Sequence, residues 1–402
     1  MTGKTHIWID APRDSAGARR QELRIERPGQ PAMTIWFRTP LEYAGWLSER
    51  ADAYAIIAVF TAMRAGAPAV VHGEVSPSLI RNLEEFQAAW ASWFPQRYRV
   101  VELTADVERE RVGESDAGRT LAAFSGGVDA AFSLYRHQRG LAGRRSRPVG
   151  AGLLIHGYDI PVADDTMFAP ACARARRMTE SLGVPLIPVA TNYREVEPLW
   201  EDVHMVCVGA CLSLFEGAFD TALVGSSEPY RKLVIPWASN PVTDHLLSSA
   251  GFRIVHDGAE CNRIDKLTLL RDWEEAQQEL FVCWEPTASG RNCCRCNKCV
   301  RTILNYRVMG WGLPPCFDRD VDDVTIAGMR GLNDTMVADL EVILRAADAQ
   351  SLRAPWVTAL EQVVRRYHFR NLVGKNPLVI GLRTNLDRHP VGRRVWDLVR
   401  RR

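Results

Sequence analysis

Between residues 120 and 255 the chain alternates short apolar runs with amphipathic stretches, and this alternation limits the fold more than any other feature. Short apolar runs separated by helical patterns are typical of βαβ units and a parallel sheet. The predicted strands cover 121–124, 150–155, 186–189, 221–224 and 253–255. The predicted helices cover 130–139, 168–182, 202–218 and 244–250. We therefore expect an α/β fold in which loops at the carboxyl ends of the strands bind a ligand.

The flanking regions predict two further parts. Residues 1–115 predict a small α+β domain with a separate sheet, with strands at 22–25, 33–38, 69–72 and 98–103 and helices at 54–63 and 78–93. The polar stretch 107–118 has no apolar period and predicts a linker. Helical patterns return at 335–347 and 356–367. We divide the sequence into an N-terminal domain at 1–115, an α/β domain at 116–310 and a helical C-terminal region at 311–402.

Composition excludes several classes of protein. The 402 residues are 47% hydrophobic and 24% charged, which is typical of globular domains, and the formal net charge of +2 provides no strong field for nucleic acid. Seven arginines after residue 382 keep nucleic-acid contact open. The apolar run 53–63 is shorter than the roughly 20 residues of a bilayer-spanning helix. No secretory signal pattern opens the sequence, so we expect a cytoplasmic protein without disulfides.

One strand-to-helix junction has an unusual glycine content. It reads Ala-Ala-Phe-Ser-Gly-Gly-Val-Asp-Ala, with Ser125, Gly126 and Gly127 directly after the first predicted strand of the α/β region. Two residues without Cβ permit a tight turn, and the N–H groups of such a turn face an anion at the start of the next helix. The expected anion is phosphate. The Gly-Lys-Ser/Thr ending of a Walker A loop is absent, and so is the Gly-x-Gly-x-x-Gly pattern of a dinucleotide turn. A purely structural turn is the alternative.

Five of the ten cysteines lie between Cys283 and Cys299. Cys283, Cys293, Cys296 and Cys299 have the spacing C-x9-C-x2-C-x2-C, and Cys294 is an additional thiol within it. Four thiolates suit tetrahedral zinc, while an iron–sulfur cluster is the alternative metal centre. Burial as small hydrophobic residues would not explain three cysteines at intervals of three.

Together, the glycine turn and the cysteines resemble a known family. The turn resembles the PP-loop of the N-type ATP pyrophosphatases, in which Ser-Gly-Gly-x-Asp-Ser binds the pyrophosphate of ATP during AMP transfer. Followed by this cysteine pattern, it is similar to the 7-cyano-7-deazaguanine synthase family, which uses ATP and ammonia to turn a carboxylate into an amide and then a nitrile. The resemblance covers about residues 120–310. The chain has Ala130 at the usual Ser or Thr, Cys294 at a common Gly, and 156–159 in place of Tyr-Gly-Gln, so a related but different substrate is expected.

This resemblance implies ATP and Mg²⁺ at the turn and Zn²⁺ at the four cysteines. Gly225 and Ser226 resemble the later Gly-Ser turn of the family, and Arg263 and Lys266 resemble its late basic position. A simple strand exit and solvated helix charges are the respective alternatives. The implied nucleotide-binding residues are Ser125, Gly126, Gly127, Val128, Asp129, Gly225, Ser226, Arg263 and Lys266.

Three residues are candidates for catalysis. The resemblance implies Asp129 from the turn and Lys266 as the cation at the phosphates. His204 lies on a predicted helix from which it could face the substrate, although a lone helix histidine is more often structural.

Three functions remain open. The first is adenylation of a carboxylate or amide oxygen, followed by attack of a nitrogen nucleophile to give an amide or nitrile. The second is sulfur transfer to the adenylated substrate, with Cys294 or an outside persulfide as donor. The third is a non-catalytic nucleotide-binding regulatory module, supported by the missing hydroxyl at Ala130. The expected partner is a small molecule, peptide or protein bearing a carboxylate or amide, with no membrane and with a homodimer left open.

Overall fold

The computed structural model describes residues 3–111, 119–285 and 290–374, and within them eleven strands form one mixed sheet. The spatial order is β11-β10-β7-β8-β9-β4-β3-β1-β5-β6, and β2 pairs with β3 at its side. The strands are β1 Thr5–Ile9, β2 Arg13–Ser15, β3 Ala18–Glu26, β4 Met33–Pro40, β5 Ala69–Val75, β6 Leu103–Glu108, β7 Thr120–Ala123, β8 Val149–His156, β9 Leu186–Thr191, β10 Thr221–Gly225 and β11 Arg253–Asp257.

The half of the sheet from β11 to β9 is parallel throughout. The chain passes from β7 to β8 and β9 in one direction, and β10 and β11 then add on the other side of β7. The strand order therefore reverses between β7 and β10. In open α/β sheets, ligands bind at the carboxyl ends of the strands at such a reversal. The expectation of an α/β fold is confirmed.

The N-terminal strands belong to the same sheet, so the expectation of a separate N-terminal sheet is wrong. Strand β4 pairs with β9 in antiparallel fashion through Phe37 opposite Thr191 and Arg38 opposite Ala190. This pairing joins segments about 150 residues apart, and no local sequence pattern reports it. The division into domains at 115 and 310 stays a prediction.

Twelve α-helices are formed by the described residues. Helix α1 is buried along nearly its whole length and packs against α6, while α3 packs against α7. The helices are α1 Asp52–Ala65, α2 Pro77–Trp93, α3 Val128–Gln138, α4 Asp165–Glu180, α5 Tyr193–Val196, α6 Trp200–Ser213, α7 Arg263–Leu270, α8 Glu274–Glu279, α9 Asn297–Val308, α10 Asp323–Ala327, α11 Asp334–Ala349 and α12 Pro355–Gly374.

Two local expectations differ from the structure. The strand predicted at 98–103 begins only at its last residue, because β6 covers Leu103–Glu108 and so takes in the start of the predicted linker. The helix predicted at 244–250 is a single 3₁₀ turn at Asp244–Leu247. Residues 112–118 of the predicted linker lie outside the described residues.

The chain forms two compact units. The first comprises Met1–Cys293 with Leu313–Asp318 and contains the whole sheet; the second comprises Cys294–Gly312 with the chain from Arg319 onward and contains α9 to α12. Of the helices in the described ranges, none is long and apolar enough to cross a bilayer.

Candidate active site and metal centre

The glycine turn leaves β7 and begins α3. Gly126 has a φ of +77°, a left-handed conformation that favours glycine, and Gly127 is the residue before the first turn of α3 at Val128. The N–H group of Gly127 lies 3.4 Å from Oγ of the exposed Ser125. Because the first N–H groups of a helix have no partner within it, this turn presents donors and the positive end of the helix dipole to an anion.

The carboxyl end of β10 touches this turn. A Cβ added at Gly225 would lie 2.5 Å from the backbone oxygen of Asp129 and 2.6 Å from its carbonyl carbon. No side chain larger than hydrogen fits there without moving the backbone. Gly225 is therefore needed for the close packing of β10 against α3.

Two cations converge on the carboxylate of Asp129. The buried ammonium of Lys266 donates to Asp129 Oδ1 at 2.7 Å and also to the carbonyl oxygen of Ser226. The guanidinium of Arg263 lies 3.6 Å from Asp129 Oδ2. These contacts account for two of the three N–H donors of Lys266. The structure thus brings together turn, strand end and basic residues that are up to 140 positions apart in the sequence.

Helix α7 carries both cations, and its start is well defined. The side chain of Asn262 accepts from the N–H of Asp265 at 3.1 Å, and the side chain of Asp265 accepts from the N–H of Asn262 at 2.9 Å. Such a capping box satisfies two backbone donors at once. It sets the direction in which Arg263 and Lys266 leave the helix. Sequence reasoning missed α7, although Asn followed by Asp three residues later was a visible signal.

A buried ionic network supports the other side of the site. Asp257, at the end of β11, accepts from Ser133 Oγ at 2.7 Å and pairs with Arg136 and His137 of α3. Burial alone would raise the pKa of Asp257, but the hydrogen bonds from His137 and Arg136 outweigh it and hold the pKa below its ordinary value. The backbone oxygen of Asp257 also accepts from the N–H of Ser226 at 2.7 Å. These pairings bind β11 to α3, and no local sequence signal predicts them.

His204 lies in an aromatic cluster and contacts Tyr158, Trp200 and Trp237, with ring centroids 5.3 to 6.3 Å from its own. Its Nδ1–H donates to the carbonyl oxygen of Trp200 at 3.3 Å, because a carbonyl can only accept. Burial lowers the pKa of His204, which favours the neutral ring with its lone pair on Nε2. Its catalytic role stays a prediction.

The four predicted metal ligands come together. The Sγ atoms of Cys283, Cys293, Cys296 and Cys299 all lie within 4.8 Å of one another. Cys283 is half-buried and the other three are buried. Tetrahedral zinc with bonds of about 2.3 Å needs sulfur atoms about 3.8 Å apart, so a small inward movement would complete the site. This group of four cysteines could hold a metal ion such as zinc.

Sequence reasoning missed one buried residue, Asn292, whose side chain bonds to the backbone of the cysteine segment. Asn292 accepts from the N–H groups of Val282 and Cys283 at 2.9 and 3.2 Å. Its amide donates to the carbonyl oxygens of Leu280 and Cys316 at 2.8 and 3.0 Å. Because one side chain satisfies four backbone groups, Asn292 fixes the approach of the chain to the first cysteine.

Two backbone features of the cysteine segment are a hydrogen bond to the glycine turn and a left-handed conformation at Cys294. The N–H of Phe281 donates to the carbonyl oxygen of Gly126 at 3.0 Å, which attaches the segment to the glycine turn. Cys294 has a φ of +57°, in the left-handed region. That conformation is one that glycine adopts more readily than cysteine does.

Comparison of the chain with protein-family models, with curated proteins and with solved structures finds no match. The functional assignment therefore depends on the motifs and on the geometry of the site.

Proposed function

We propose that this chain is an ATP-dependent, AMP-forming enzyme of the PP-loop type. It adenylates a carboxylate oxygen, and a nitrogen nucleophile then displaces AMP to give an amide. A nitrile would form by adenylation of that amide oxygen and elimination of AMP with loss of the two N–H protons, without a further nucleophile. One observation carries the proposal. The glycine turn, Asp129 and the buried Lys266 lie together where the strand order reverses between β7 and β10.

The hydrogen-bond donors and positive charges at this site fit a nucleoside triphosphate. Negative charge builds up on the α-phosphate and on the departing pyrophosphate when AMP is transferred. The turn offers backbone N–H groups, and Lys266 and Arg263 offer positive charge in a largely buried setting. Asp129 is 22% exposed and would hold Mg²⁺, which commonly binds one or two carboxylates together with phosphate oxygens. The ion would offset phosphate charge.

Adenylation has a chemical purpose at this site. It converts a carboxylate, whose oxygen leaves poorly, into an acyl adenylate, a mixed anhydride from which AMP leaves readily. Lys266 and the N–H groups of the turn would bind the phosphates. The lone pair on Nε2 of the neutral His204 ring would accept the proton that the attacking nitrogen loses. Formation of the C–N bond would then accompany the departure of AMP.

Sulfur transfer is the alternative that keeps the same activation step. Cys294 is buried, with 4% of its surface exposed. A sulfur donor must reach the adenylated carbon, so burial of Cys294 favours nitrogen or an outside persulfide over an internal donor. A Cys294→Ser variant that retains full activity would agree with this view. A regulatory role without catalysis predicts that no substrate causes release of pyrophosphate.

The test is product analysis. Purified protein is incubated with ATP, Mg²⁺, ammonium chloride and a panel of carboxylic acids that includes amino acids, heteroaromatic acids and short peptides. We expect AMP and pyrophosphate in equal amounts with at least one acid, and loss of both products in Lys266→Met but not in the exposed control Lys4→Met. Formation of ADP as the only nucleotide product would contradict the proposal.

A further inference from the structure

A pair of histidines lies far from the glycine turn in the sequence, on the N-terminal part of the sheet. His6 of β1 and His72 of β5 approach each other across two parallel strands, with His6 Nδ1 3.0 Å from His72 Nε2. Both side chains are half-buried, and that of His72 is 19% exposed. Neither residue has a part in the proposed adenylation.

The protonation of His72 follows from its partners. Its Nδ1 lies 3.1 and 3.2 Å from the two carboxylate oxygens of Asp106 in β6. A carboxylate only accepts, so Nδ1 carries the proton and Nε2 carries the lone pair that faces His6. In metal-binding histidines, one ring nitrogen commonly donates to a carboxylate while the other nitrogen coordinates the metal.

The orientation of His72 is held by further contacts. The ring of Trp8 stacks on it with centroids 3.5 Å apart, and the indole N–H of Trp8 donates to Glu26 Oε2 at 3.0 Å. Glu26 lies directly opposite His6 on β3. The two imidazoles are therefore positioned before any ligand arrives, which reduces the entropy lost on binding.

We infer that His6 and His72 form a second metal site, which takes a borderline divalent transition ion such as Ni²⁺, Cu²⁺ or Zn²⁺. Two nitrogens in adjacent positions of a square-planar or octahedral ion lie about 2.9 Å apart for bonds of about 2.05 Å, close to the observed spacing. Mg²⁺ and Ca²⁺ prefer oxygen ligands and are disfavoured here.

Binding needs one rearrangement of a proton. In the metal-free protein, His6 Nδ1–H donates to the lone pair of His72 Nε2. When the ion binds, the proton of His6 moves to its own Nε2, and the two facing lone pairs coordinate the metal. The change is a tautomer shift without net release of a proton. Water fills the remaining positions, and Asp106 acts as a positioning residue.

The experiment is a calorimetric titration of untagged protein with nickel chloride. Zinc is first loaded to one ion per chain, and zinc analysis and titration of the free cysteine thiols show that this ion fills the cysteine site and leaves the histidine pair empty. We expect one nickel ion per chain. His6→Gln and His72→Ala should each abolish this binding, and Asp106→Asn should weaken it by about 10-fold or more. The exposed His245→Ala is the matched control and should bind as the wild type does.

The zinc content and the thermal midpoint of each variant without nickel show whether it is folded. The midpoint of the wild type should rise with nickel concentration once that concentration exceeds the dissociation constant, whereas that of His72→Ala should stay unchanged. Absence of nickel uptake by the zinc-filled wild type would overturn the inference. Unchanged uptake by folded His6→Gln and His72→Ala would do the same.

Discussion

Lys266 combines a structural and a chemical role in one buried side chain. Its ammonium lies between Asp129 and the carbonyl oxygen of Ser226, and only 2% of the side chain is exposed. Loss of one partner from a buried pair destabilises a protein because the other charge is left unpaired. Here the cost is reduced, because Asp129 is partly exposed and keeps Arg263 nearby.

We therefore expect Lys266→Met to lower the free energy of unfolding by only about 1 to 2 kcal/mol. AMP formation should fall by about 100-fold or more, because a positioned positive charge at the phosphates is removed. Urea unfolding and pyrophosphate release measure the two effects separately. Equal activity in Lys266→Met and wild type would place the phosphate cation elsewhere.

A substitution at Gly225 tests the close backbone contact between β10 and the start of α3. Gly225→Ala forces a methyl group to within 2.5 Å of the backbone of Asp129, and the start of α3 has to move. We expect a loss of about 2 to 3 kcal/mol in unfolding free energy together with weakened ATP binding, since overpacking against backbone cannot relax cheaply. Gly45→Ala is the control, because nothing lies within 4 Å of its added Cβ. If both variants behave alike, the close approach of β10 to α3 is not needed.

At the scale of elements, the sequence predicted the α/β alternation well, because β7, β8 and β10 are largely buried and read as short apolar runs. It missed β6, an edge strand whose second half is exposed and was interpreted as the start of the polar linker, although apolar and polar residues alternate along it. The cysteine cluster was predictable from spacing alone, since neighbouring ligands on a short segment need no long-range information. The family resemblance implied that Asp129 and Lys266 both lie at the phosphates, but it did not predict that the two side chains pair with each other.

The cysteine segment provides a prediction at the same scale. Removal of the metal by a chelator should lower the thermal midpoint, on the order of 5 °C, because binding orders the segment and that free energy is lost. Cys296→Ser should have the same effect, whereas Cys172→Ser, outside the cluster, should not. Since Phe281 of this segment donates to Gly126, ATP binding should weaken in parallel. Metal-free protein with unchanged stability and ATP affinity would contradict this coupling.

Across the whole molecule, carboxyl groups with shifted pKa values make stability depend on pH from two directions. Burial would raise the pKa of Glu260, but hydrogen bonds from Arg145 and Arg136 outweigh it and lower the pKa to about 2, and the pKa of Asp257 is also lowered. These groups stabilise the fold above their ordinary pKa values, and the stabilisation is lost as the pH falls through the folded values. On the acid side, therefore, stability decreases as Asp257 and Glu260 become protonated.

Glu216 acts in the opposite direction. Burial, together with the nearby carboxylate of Asp52, raises the pKa of Glu216 from 4.5 to about 8. Between these values the folded protein holds a proton that the unfolded chain has released, so stability falls as the pH rises from about 4.5 to about 8 and changes little beyond. Glu216→Gln keeps the volume of the protonated side chain and cannot ionise. The variant should match the wild type at pH 5 and exceed it in stability at pH 8.

Urea unfolding at pH 5, 6.5 and 8 measures this difference, with the exposed Glu85→Gln as control. Glu85→Gln should follow the wild-type pH profile, since its side chain lies in solvent. If Glu216→Gln and the wild type lose stability equally between pH 5 and 8, then Glu216 is already ionised in the folded protein. In that case Arg50 and Arg111, which lie against Glu216, outweigh its burial.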